Sequence, residues 1–236
     1  MYGYGYGYYG FDWTYVLLII GMLLSLAAST RLKSTFSYYR KIRSASGLTG
    51  AETAERILRA AGITDVHVRA ISGSLTDHYD PRTKTVSLSE DIYDKTSLAA
   101  VGVAAHECGH AIQHAIGYAP LEFRSAIVPV ANFGSQMFWP LFIMGLIFSM
   151  ESLVNIGILL FLFALIFQVV TLPVEFNASA RAIRMLESTG ILGTSEVPGA
   201  KKVLGAAAMT YVAAVVGSLL QLLRLLILSG RIRNDD

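Results

Sequence analysis

Residues 127–172 are largely apolar; Glu151 is their one charged residue, and with Ser152 and the nearby Asn155 it breaks the run. A helix crosses the hydrocarbon core of a bilayer with about 20 apolar residues, so the run is long enough for two crossings and its polar break marks a turn. In lipid every backbone N–H and C=O needs an internal partner, which leaves a hairpin of two helices as the structure this stretch can adopt. Two further stretches fit a span. Residues 15–28 are short for one unless Phe11 and Trp13 serve as an interfacial anchor, and residues 203–228 are interrupted by Gln221 and Arg224. Arg224 lies near the end of its stretch, where its side chain can snorkel to the interface. With 53% hydrophobic and 15% charged residues, the chain is too apolar for an ordinary soluble domain. The expected class is a mainly α, polytopic membrane protein with about four transmembrane helices.

Charge sets the expected orientation. Arg31, Lys33, Arg40, Lys41 and Arg43 follow the first apolar stretch with no acid among them, whereas Asp12 is the one charged residue before it. The positive-inside rule then puts the N-terminus outside and residue 31 onward in the cytoplasm. The basic run can also meet anionic headgroups. No nucleic-acid motif accompanies it, so the expected surroundings are the lipid bilayer and no nucleic acid. No Lys or Arg precedes the first apolar stretch, which argues against a cleaved signal peptide. Residues 1–10 form a Tyr-Gly low-complexity tail, read as disordered, as lying at the lipid interface, or as a strip for a protein partner. The chain divides into a tail (1–14), a first span (15–30), a cytoplasmic-side module (31–126), a helical hairpin (127–173), a helix and loop (174–202), a last span (203–229) and a C-terminal tail (230–236).

Within the module, Thr49 and Glu52 have the spacing of a capping box, and the amphipathic pattern after them ends at Gly62. Strand-like pieces follow at 66–71, 76–80 and 85–89, the last two joined by the turn sequence Pro81-Arg82-Thr83-Lys84. A helix with a small antiparallel sheet makes a compact α+β, zincin-like module, and a sheet edge there can take an extended peptide as an added strand.

The next element carries the chemistry. Ser97 can cap a helix that leads through Leu98-Ala99-Ala100-Val101-Gly102-Val103-Ala104-Ala105 into His106-Glu107-Cys108-Gly109-His110, and Gly117 can close it in a left-handed conformation. Histidines four apart lie on one helical face, so His106 and His110 can reach one ion. Glu107 can hold a water there and take its proton, the H-E-x-x-H arrangement of zinc peptidases. The competing reading of the motif alone is a helix with two core histidines. Cys108, the single cysteine, stands about 200° round the helix from His106 and faces away, which makes it a packed thiol.

Two histidines leave zinc short of a protein ligand. His114 is next on the same helix, but His106, His110 and His114 span about 12 Å of axis, too far for one ion on a straight helix. The metzincin pattern has a third histidine six positions after His110, and Ile116 stands there. His78 lacks any supporting spacing. Glu175 is the strongest candidate: Pro173 is expected to close the third span and a helix to begin near Glu175, as a dipole partner or a ligand. The two crossings between His110 and Glu175 return the chain to the same side of the membrane.

Together, His106-Glu107-Cys108-Gly109-His110-Ala111-Ile112-Gln113-His114, Tyr79-Asp80-Pro81 with Val86-Ser87-Leu88-Ser89, and Leu172-Pro173-Val174-Glu175-Phe176-Asn177-Ala178-Ser179 resemble the bacterial YugP-like membrane zinc metallopeptidases over residues 47–182. A more distant resemblance is to the HtpX and CAAX-prenyl-protease membrane gluzincins, whose third ligand is the Glu of an E-x-x-A-D motif. Here Glu175 and Ala178 are kept while Ser179 stands in the Asp place, so Asn177 or Ser179 is the candidate to orient a zinc histidine, with His114 a further one. The resemblance implies a multi-pass protein of a bacterial-type cell membrane that hydrolyses peptide bonds with one Zn2+ ion.

The expected function is an integral-membrane zinc endopeptidase with its site on the cytoplasmic side. His106, His110 and Glu175 are the expected ligands, Glu107 the base that activates a zinc-bound water, and a membrane-associated peptide or protein the substrate. His78, Tyr79 and Arg181 are weak candidates for substrate or oxyanion contacts. The alternative is a membrane scaffold or partner-regulating subunit with a structural zinc, meeting partners through the N-terminal tail or the transmembrane helices. Against it stands Glu107, because a structural site needs no base and fills its four positions with protein ligands.

Overall fold

The computed structural model describes residues 12–234. The expectations for the Tyr-Gly tail and for Phe11 lie outside the described residues. The elements in order are α1 (Tyr15–Tyr39), α2 (Gly50–Ala60), β1 (His67–Ile71), β2 (His78–Asp80), β3 (Thr85–Ser89), α3 (Leu98–Ala115), α4 (Ala119–Ile147), α5 (Glu151–Ser188) and α6 (Val197–Asn234). Four of these helices, α1, α4, α5 and α6, are long and apolar enough to cross a membrane. Large apolar side chains such as Met22, Leu23 and Leu26 of α1 and Phe133 and Ile147 of α4 stand exposed, the pattern of surfaces that face lipid rather than water. The fold is a mainly α polytopic membrane protein with a small sheet.

The hairpin turns at Phe148, Ser149 and Met150, with Ser149 at φ 51°. The helices differ from expectation in two places. α1 does not end before its basic residues: it runs through Arg31 and Lys33 to Tyr39, because nothing in that segment breaks a helix. α5 does not stop at Pro173 but continues unbroken from Glu151 to Ser188. Proline removes one backbone donor, and neighbouring helices in a membrane bundle hold such a helix together. Glu175 therefore sits inside a long helix and not on the first turn of a new one. Arg224 of α6 is buried, and its guanidinium lies 4.7 Å from the ring centre of Tyr15, the first residue of α1.

The module between α1 and α4 is built on local signals. Thr49 caps α2, accepting from Glu52 N at 3.1 Å while Glu52 Oε2 accepts from Thr49 N at 2.8 Å. Ser97 Oγ accepts from Ala100 N at the start of α3, and Gly117 follows that helix at φ 62°. The sheet has the order β1-β3-β2. β2 and β3 pair antiparallel across the Pro81–Lys84 turn, but β1 runs parallel to β3, so the sheet is mixed and not antiparallel throughout. β3 is buried along its whole length, and Val86 and Leu88 join Ile57, Val101, Ala104 and Leu186 in one core. That core fastens the module to the C-terminal end of α5 and the N-terminal end of α6, and a second cluster around Phe142 and Leu225 holds the spans.

Candidate metal centre

α3 brings His106, Glu107 and His110 to one end of the sheet. Its small residues let it pack tightly, and at Gly109 the approach is extreme: a Cβ there would meet Ala178 O at 2.5 Å. α3 and α5 thus touch backbone to backbone at the level of the histidines. Glu175 lies about one turn before Ala178 on α5, so its carboxylate falls opposite His106 and His110.

The resulting geometry suits a metal. Glu175 Oε2 lies 3.3 Å from His106 Nε2 and 3.7 Å from His110 Nε2, and the three residues offer donor atoms that all lie within 4.8 Å of one another. Donors about 2.0–2.1 Å from one tetrahedral ion sit roughly 3.4 Å apart. Two imidazoles and a carboxylate are also the donor set that zinc accepts. The residues therefore fit the ion that the motif implies.

Each histidine is oriented by its other nitrogen. Ser179 Oγ bonds His106 Nδ1 at 3.1 Å, and Gln113 Oε1 bonds His110 Nδ1 at 3.0 Å. With Nδ1–H donating to the Gln113 oxygen, Nε2 of His110 is left as a bare lone pair facing Glu175. Gln113 is held in turn: its Nε2 donates to Val174 O at 2.8 Å and to Asn177 Oδ1 at 3.0 Å, and Arg181 Nε donates to the same oxygen at 2.7 Å. Asn177 thus acts one step away from the histidine, through Gln113.

Glu107 is 7% exposed and lines the groove beside the cluster. Burial raises its pKa above the ordinary carboxylate value, against the opposing pull of His106 and His110. Cys108 points the other way, buried with its Sγ donating to Ala54 O at 3.5 Å, and burial pushes its thiol pKa up. His114 does not touch the cluster; its Nδ1 shares a 2.8 Å hydrogen bond with Tyr79 Oη. Burial pushes the Tyr79 phenol to about 12. Tyr79 and His78 line the groove, while His78 Nδ1 bonds Thr76 O at 2.9 Å. Arg181 does not line the groove and is engaged with Asn177, with its guanidinium 5.9 Å from the Tyr118 ring centre.

Three residues of the site are not singled out by the sequence reading. Gln113, three positions after His110, was open to discovery by helical spacing. Arg124, whose Nη1 is 3.6 Å from Glu175 Oε1, and Tyr211, which lines the groove from α6, arrive from other helices and leave no spacing signal.

Comparison with known proteins agrees with this geometry. The model of a family described as "Putative neutral zinc metallopeptidase" matches residues 14–230. A curated relative, "Putative membrane protease YugP" of Bacillus subtilis (strain 168), is 47% identical over 220 residues, which cover 92% of this chain and 98% of the relative. No solved structure matches.

Proposed function

The chain belongs to the neutral zinc metallopeptidase family whose model matches residues 14–230, and from that premise we propose that it is a membrane endopeptidase with its zinc site on the cytoplasmic side. The observation that carries the reading is the meeting of His106, His110 and Glu175 donors within 4.8 Å of one another, beside a groove that Glu107 also lines. In this reading the three residues hold one zinc ion and Glu107 is the general base.

Zinc held there supplies Lewis acidity, which lowers the pKa of water and polarises a carbonyl. Glu107 takes a proton from the attacking water as its oxygen bonds the peptide carbonyl carbon. It then gives that proton to the amine nitrogen as the C–N bond breaks. Desolvation in the α3 core favours this exchange by keeping the carboxylate a stronger base than it is in water. Tyr211, reaching the groove from α6, supplies a hydroxyl for the developing oxyanion. Ser179 and Gln113 keep both imidazoles turned toward Glu175. A peptide extends along the groove next to β2, whose free edge offers main-chain partners.

The cytoplasmic placement rests on Arg31, Lys33, Arg40, Lys41 and Arg43 after the first span. The even number of crossings in the α4–α5 hairpin keeps α3 and Glu175 on one side. The test is Glu107→Gln. Purified in detergent, it should keep the zinc content of the wild type and lose cleavage of membrane-protein substrates, which accumulate bound to it. Equal turnover by variant and wild type removes the mechanism.

A further inference from the structure

The groove at the cluster has two unlike halves. One is lined by Asp80, Arg82 and Arg124. The other is a cavity of about 160 Å³ between α1 and α6, walled by Leu32, Phe36, Val203, Leu204 and Ala207, with Leu75 at its edge. Glu107, His106, Glu175 and Tyr211 border both halves, so the candidate base stands at their junction.

We propose that the α1–α6 cavity is the subsite for one large apolar side chain, of the size of Leu or Phe, on a residue flanking the scissile bond. The proposal rests on the peptidase reading above and adds its substrate class. Volume fixes the size of the occupant: an apolar cavity of roughly 150 Å³ holds a benzene ring. Composition fixes its chemistry: away from the reacting centre the walls are aliphatic or aromatic apart from Asp77 and Ser179, which are already bonded to Ser89 and His106, so a polar side chain entering there would lose its water without a free partner. Continuity with the groove fixes its source. A cavity that shares Glu107 and Glu175 with the reacting centre is reached by the residue next to the bond being cut, and a lipid chain lodged there would block the base.

The Ser72–Asp77 connection supports the assignment. Leu75 is a non-glycine residue at φ 56° and is 41% exposed. An apolar side chain in a left-handed conformation is unfavourable in isolation. The segment is nevertheless tied down by Thr76 Oγ1 donating to Ser72 O at 3.2 Å and by Asp77 accepting from Ser89 N at 2.7 Å. That fastening leaves Leu75 at the mouth of the cavity, where an apolar substrate side chain would cover it.

The test reads binding, so it does not depend on turnover. Full-length Glu107→Gln protein in detergent is titrated with fluorescent Gly/Ser-rich peptides that carry either one Leu or one Ala. The Leu peptide should bind at least about tenfold tighter, given what single hydrophobic groups contribute in such pockets. Adding Ala207→Phe, which fills the cavity, should bring the ratio to about one. Leu32→Trp fills it from the opposite wall and replaces Ala207→Phe if that variant does not accumulate. Equal binding of the two peptides, or a Leu preference that survives filling, overturns the proposal; an acyl chain occupying the cavity gives the first of these results. Cleavage by the wild type without a Leu preference refutes the subsite and leaves the peptidase. A Leu preference without any cleavage does the reverse.

Discussion

Replacing Gly109 by Ala tests whether the contact between α3 and α5 sets the metal site. The added methyl would lie 2.5 Å from Ala178 O, 3.0 Å from its carbonyl carbon and 3.1 Å from its Cα. Comfortable contact needs about 3.5 Å, so the helices must part by nearly 1 Å, and the obstacle is backbone that cannot swing away. Overpacking of this kind costs about 1–3 kcal/mol. Alanine returns up to about 1 kcal/mol through its better helix propensity, which leaves a net loss of up to roughly 2 kcal/mol. A separate loss of similar size should fall on zinc binding. Ser179 follows Ala178 directly, and its 3.1 Å bond to His106 lengthens past hydrogen-bond range when the helices separate. The 3.3 Å approach of Glu175 to the same histidine opens with it. Loss of such outer contacts costs about 10–100-fold in metal affinity. Competition between the protein and a chromophoric chelator in detergent measures the affinity, and thermal unfolding without zinc measures the packing cost separately. A Gly109→Ala protein with wild-type zinc affinity and wild-type stability would refute the claim that this backbone contact positions the ligands.

The other predictions concern the ligands and the topology. Glu175→Ala should lower zinc affinity sharply while the protein stays inserted, and His114→Ala should retain zinc because His114 bonds Tyr79 and not the cluster; zinc titration of both variants decides, and the reverse pattern removes Glu175 as a ligand. Gln113→Leu deprives His110 of its acceptor and should weaken zinc by about 10–100-fold in the same titration; unchanged affinity would show that this contact does not orient the histidine. A cysteine placed at the exposed Ala60 should escape a membrane-impermeant thiol reagent in intact cells and react after permeabilisation, with buried Cys108 silent in both; labelling from outside would invert the topology.

How much of this was legible in the sequence depended on the range of the interaction involved. The caps at Thr49 and Ser97, the left-handed Gly117 and the facing of His106 and His110 away from Cys108 are settled within one or two helical turns, and the structure has them as the sequence implied. The hairpin was equally plain, because a long apolar run admits few structures in lipid. The parallel pairing of β1 with β3 was not, since it depends on how the Ser72–Asp77 connection crosses between the strands. Nor was the persistence of α5 through Pro173, where packing outweighs a strong local breaker. At the site, Glu175 could be reached by counting ligands and crossings, while Arg124 and Tyr211 are brought in by packing between helices distant in the chain.

The continuity of α5 carries one more consequence. The helix that begins at the membrane turn is the helix that holds Glu175, Asn177 and Ser179, so the bilayer and the cluster share a single stiff rod. The rise from Glu151 to Glu175 is about 36 Å, and tilting a rod of that length by one degree moves its end by roughly 0.6 Å, about three times the ~0.2 Å tolerance of a metal site. Tilt of a spanning helix follows the thickness of the surrounding hydrocarbon. Zinc held at this cluster should therefore gauge how the hairpin is seated, and a detergent that lets the hairpin relax should lower its occupancy without any change to the three donor residues.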